Sequence, residues 1–141
     1  YAKSFVWLLV SFLDHKEAVL GAEFQESDYV IVSVDDQMAF DPNDRSGQWQ
    51  LMVSNEESEQ CLMIHQDARI MRRNFMPGDQ DEVTINSGRG HWLQVISGDI
   101  SLEYESGKHN LKSGDGVAIE AIEKYSIHSL AESDLLLFDL A

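Results

Sequence analysis

From residue 29 onward the chain never sustains the 3.6-residue apolar period of an amphipathic helix. It advances through short apolar runs, each cut off by a cluster of Gly, Asn, Asp, Ser or Pro. A chain of this kind buries its apolar residues only by pairing them as strands. The runs are "YVIVSV" at 29–34, "WQLMVS" at 49–54, "CLMIHQDARIMRRNF" at 61–75, "EVTIN" at 82–86, "HWLQVIS" at 91–97, "ISLEYE" at 100–105, "GVAIE" at 116–120, "KYSIHSL" at 124–130 and "LLLFDL" at 135–140. Between them stand "DPNDRSG", "SNEESEQ", "MPGDQD", "NSGRG", "ESGKHN" and "KSGDG", whose composition is that of turns. A spacing of roughly 8–12 residues per strand and turn predicts an all-β sandwich or barrel. Residues 13–24 admit one or two helical turns. No internal repeat or linker interrupts the pattern, and 141 residues with 43% hydrophobic content are enough for one core.

Charge narrows the function. Ten Lys and Arg against 25 Asp and Glu leave a net charge of −15, so nucleic acid and anionic membrane surfaces are repelled. The longest apolar run, "FVWLLVSFL" at 5–13, is nine residues, about half of the roughly 20 that cross a bilayer as a helix. The "DHKEAVLGAEF" that follows has no convincing signal-peptide cleavage site. A lone cysteine, Cys61, cannot form an internal disulfide, which leads us to expect a reducing, cytoplasmic setting. A first residue of Tyr rather than Met leads us to expect that something once preceded it.

Three segments, "FDPNDRSGQWQLMVSNEESEQCLMIHQDARI" at 40–70, "HWLQVISGDISL" at 91–102 and "LKSGDGVAIE" at 111–120, with the closing "LLLFDLA", resemble the C-terminal half of the pirin-like bicupins, the family that includes quercetin 2,3-dioxygenase-like proteins. "FVWLLVS" resembles the strand that ends that family's first cupin, and "FQESDY" its connector to the second. The resemblance implies a single cupin, a jelly-roll-like double-stranded β-helix, over 40–141. Residues 1–39 are then an N-terminal strand and connector, packed on the cupin or on a partner subunit. It also implies that the family's metal site, three or so histidines and a carboxylate, belongs to the half without a counterpart here.

The cupin metal pattern G-x5-H-x-H-x4-E-x6-G falls on Gly78, Thr84, Asn86, His91 and Gly98. Tyr125 stands where a last histidine is expected, with Ser129 in the place of an Asn. Neutral Thr and Asn oxygens are weak ligands for a first-row transition metal, so we expect no metal and no cofactor. Because His91 shares parity with Leu93 and Val95, it points inward as a satisfied core histidine. The functional alternative is a pocket of Thr84, Asn86, His91 and Tyr125 that binds a small organic ligand. His65, Asp67 and Arg69 share one strand face, which predicts an ion-pair ladder. His128 is expected on the exposed face of its strand, with His15 and His109 solvated. Cys61 has no activating histidine, and Trp7, Trp49 and Trp92 read as core or interface residues.

Both alternating faces of "FVWLLVSFL" are apolar, so that segment needs cover on two sides. This predicts a homodimer in which residues 1–26 pack on or exchange with the neighbour. The sequence therefore reads as a metal-free cupin with no assigned catalytic residue, acting as a binding or oligomerisation module. The alternatives are a metal-independent small-ligand binder and a quercetinase-like dioxygenase with a non-standard metal site around His91.

Overall fold

The computed structural model describes residues 23–24, 29–31 and 37–141. Its strands are β1 (Glu23–Phe24), β2 (Tyr29–Ile31), β3 (Gln37–Ala39), β4 (Gln50–Ser54), β5 (Leu62–Met63), β6 (Ala68–Phe75), β7 (Gln80–Thr84), β8 (Gly90–Ser97), β9 (Asp99–Tyr104), β10 (Gly107–Lys112), β11 (Gly116–Ile119), β12 (Lys124–Ser129) and β13 (Ser133–Leu140). A short 3-10 turn at Pro42–Arg45, capped by the Asp41 side chain, leads into β4.

Strands β10-β9-β12-β7 form a four-stranded sheet and β11-β8-β13-β6-β4-β5 a six-stranded one, while β1-β2-β3 form a third, small sheet. Pairing is antiparallel except for β4 with β5. The all-β sandwich expected from the turn spacing is the observed architecture.

Alternation along β13 explains how the core is divided. Leu135 and Leu137 face the four-stranded sheet and join Phe75, Leu93, Val95, Ile100, Leu102, Tyr125 and Ile127 in the inter-sheet core. Leu136, Phe138 and Leu140 face the other way and pack with Phe40, Met52, Leu62, Ile64 and Ile70 in a second cluster. The six-stranded sheet is thus buried on both faces, which is why β13 reads as an almost unbroken apolar run.

Three local expectations need correction. The run 61–75 is two strands, because Ile64–Asp67 break the ladder between β5 and β6. "ESGKHN" is a turn only at Glu105–Ser106; from Gly107 the chain is β10, whose polar side chains suit an exposed edge strand. The segment at 82–86 is paired over Gln80–Thr84. Of residues 13–24 only Glu23 and Phe24 are described, as a strand, and Trp7, His15 and "FVWLLVSFL" lie outside the described residues.

Candidate functional site

His91 is carried inward by β8, and Tyr125 meets it from β12 in the opposite sheet. Both are buried, at 3% and 1% exposure. Their rings meet edge to face at 86°, with His91 Nδ1 2.9 Å from the Tyr125 hydroxyl. The other ring nitrogen, Nε2, lies 3.4 Å from Asp139 Oδ1 on β13. One arrangement satisfies both contacts: the Tyr125 O–H donates to Nδ1, and a proton on Nε2 is donated to the carboxylate.

The carboxylate is held from outside. Arg89, in the turn before β8, donates from Nε to Asp139 Oδ1 at 3.0 Å and from Nη1 to both Asp67 oxygens at 3.1 Å. Its Nη2 reaches the backbone carbonyls of Asp139 and Asp67. A continuous polar chain, Tyr125–His91–Asp139–Arg89–Asp67, therefore runs from the middle of the core to solvent. Burial pushes the Tyr125 hydroxyl well above the usual tyrosine range, reinforced by the Asp81 and Asp139 charges, so it remains a donor. Burial acts to raise Asp139, but the hydrogen bonds from His91 and Arg89 outweigh it and hold the carboxyl below its ordinary 3.8. The Asp67 hydrogen bond raises Arg89 against the opposing effect of burial.

Of the four residues expected to line a pocket, the structure brings together His91 and Tyr125 and leaves Thr84 and Asn86 outside. Val83 and Ile85 are the buried residues of that segment, while Thr84 is exposed opposite Lys124 and Asn86 lies exposed in the turn. The pattern count is displaced by one residue from the pleat, and a one-residue displacement exchanges the two faces of a strand. The Asp67 of the expected ladder is occupied by Arg89, with His65 and Arg69 exposed. His109 sits against the Tyr104 hydroxyl, and half-buried His128 pairs with Glu103.

A cupin metal does not fit these residues. The buried side chains that β7 and the residue after it offer are Val83 and Ile85, Asp81 is engaged by Trp49 and Arg73, both His91 nitrogens are engaged, and no three His, Cys, Asp or Glu side chains gather to hold an ion among the described residues. Sequence reasoning missed Asp139 and Arg89, and it placed Asp67 in a ladder with His65 and Arg69 rather than against Arg89. The available signal was parity: Asp139 is the one acid in "LLLFDL" and shares the inward parity of Leu135 and Leu137.

The family model described as the quercetinase C-terminal cupin domain matches residues 51–140. Quercetin 2,3-dioxygenase of Escherichia coli strain K12 is 31% identical over 91 residues, which are 64% of this chain and 38% of that protein. The crystal structure of YhhW from Escherichia coli superimposes with a TM-score of 0.66 at 28% identity, over 79% of this chain and 48% of that one. A structure of the same bacterial pirin in complex with nickel(II) gives a TM-score of 0.64 at 27% identity and the same coverage. The chain thus spans well under two thirds of the length of each of these relatives.

Proposed function

The chain belongs to the quercetinase C-terminal cupin domain family, and from that premise we propose that it is a metal-free cupin acting as a binding or oligomerisation module. The observation that carries this reading is the engagement of His91 on both sides, by Tyr125 and by an Asp139 already held by Arg89. A histidine spent in this way ties two sheets together and has no nitrogen left to offer a metal. The buried, unpaired Cys61 accords with a cytoplasmic setting, and no helix among the described residues is long and apolar enough to cross a membrane.

Metal analysis of protein purified without a histidine tag tests the metal-free reading. The expected result is no stoichiometric transition metal, before or after His91→Ala. Near-stoichiometric Fe, Mn, Ni or Cu that disappears in His91→Ala would overturn it in favour of a quercetinase-like dioxygenase. The oligomerisation half rests on the two-sided apolar run "FVWLLVSFL". Light scattering should show twice the 16.0 kDa chain mass. A stable monomer at micromolar concentration would rule out self-association through residues 1–26.

A further inference from the structure

A cleft of about 210 Å³ separates β9 and β10 of the four-stranded sheet from β11 of the six-stranded one. Leu102 and Ile119, both core residues, lie at its floor, flanked by Val117 and Ile122. At its rim the Tyr104 and His109 rings are stacked, 5.7 Å apart and 24° from parallel, joined by a 2.8 Å contact between the hydroxyl and Nε2.

Tyr104 and Ile122 also line a wider groove of about 750 Å³ that wraps over the end of the four-stranded sheet. Four glutamates line it: 82, 103, 105 and 123. Glu103 is in contact with His128 and is paired with Lys108 at 3.9 Å. Lys124 is the single cation among the described lining residues. An apolar, aromatic-rimmed cleft therefore opens into a groove with excess negative charge.

We infer that cleft and groove form one binding site for an aromatic ammonium compound, a single ring carrying a primary amine on a short linker. A cavity of about 150 Å³ already takes a benzene ring, so the cleft has room for one. Burial against Leu102, Ile119 and Val117 supplies the apolar contact, the Tyr104–His109 pair supplies an aromatic edge, and the glutamates attract the ammonium group and repel carboxylates. This deepens the binding half of the proposed function. It uses neither His91 nor a metal, so the two readings fail separately.

The test is a titration of the full chain with 2-phenylethylammonium in 150 mM NaCl, followed by methyl NMR. Saturable shifts should appear at Leu102 and Ile119 with a Kd of about 1 mM, the level expected of a ligand this small. Phenylacetate should give no saturable shift. The exposed double variant Glu105→Gln/Glu123→Gln should weaken binding at least about fivefold while leaving the unliganded spectrum folded. Propylammonium, which lacks the ring, should bind at least about tenfold more weakly. The inference is overturned if phenylacetate binds as well as the amine, if the ringless cation binds equally, or if no core methyl shifts at 10 mM probe.

Discussion

At the residue scale, the consequences concentrate where a buried polar atom has one partner or a backbone angle admits one residue type. Removing the Tyr125 hydroxyl leaves His91 Nδ1 unpartnered in the core, so Tyr125→Phe should cost about 1–2 kcal/mol in a denaturant melt. The same substitution should flatten the alkaline limb of stability. With its folded value raised, Tyr125 contributes fully below its ordinary pKa of 10.0, and that contribution drains away as pH rises further, where only the unfolded chain ionises. Asp139 works in the opposite sense: its lowered pKa makes a contribution that is complete above 3.8 and is lost as pH falls below it. Acid titration of Asp139→Asn should accordingly show a shallower loss of stability below that value than the parent chain. Gly98 has a φ of +115°, and an added Cβ would meet Ser133 Oγ and Cα. Gly98→Ala should therefore lose more than about 3 kcal/mol, read as a fall in denaturant midpoint.

At the element scale, β13 is the strand on which both clusters depend. It pairs with β6 on one side and β8 on the other, and buries both faces. Leu137→Ala opens a cavity between the sheets and Leu136→Ala one on the far side of the six-stranded sheet, so each should cost about 2–5 kcal/mol. In a sheet with one solvated face only one of the two would matter. Comparable losses in both melts are the expected outcome, and a near-neutral Leu136→Ala would mean that the outer face is not a core. Strand β10 teaches the converse. Its turn-like composition concealed a strand because an edge facing water has no need of apolar residues, and its pairing with β9 supplies what its side chains do not.

At the scale of the whole molecule, the polar chain from Tyr125 to Asp67 joins strands remote in sequence. Asp67 precedes β6, Arg89 precedes β8, His91 is in β8, Tyr125 in β12 and Asp139 in β13. It closes the end of the sandwich at which the C-terminal strand finishes. Loss of Arg89 should thus be felt across the sheets. Arg89→Ala leaves Asp139 partly buried beside His91 without its guanidinium, and hydrogen exchange at the end of β13 should accelerate more than in β9. Uniform acceleration across both strands would show that the clamp has only a global effect.

What could be read from the amino acids alone was everything that depends on local repetition. The turn clusters cut the chain into runs too short for helices, which specifies an all-β fold though not its thirteen described strands, and the parity of His91 with Leu93 and Val95 turned it inward. The parity of Tyr125 with Ile127 did the same for its partner. The matching segments at 40–70, 91–102 and 111–120 pointed to the family. The inward face of "EVTIN" was legible too, since Val83 and Ile85 alternate with Glu82, Thr84 and Asn86, but a count taken from Gly78 passed over that alternation. Tertiary structure alone decided which inward residues meet: the packing of β12 in one sheet against β8 in the other brought the Tyr125 hydroxyl to His91. It was also the approach of β13 to β8 that gave His91 an acid for its second nitrogen, since a hydrogen bond between residues 48 positions apart exists only once the strands are paired.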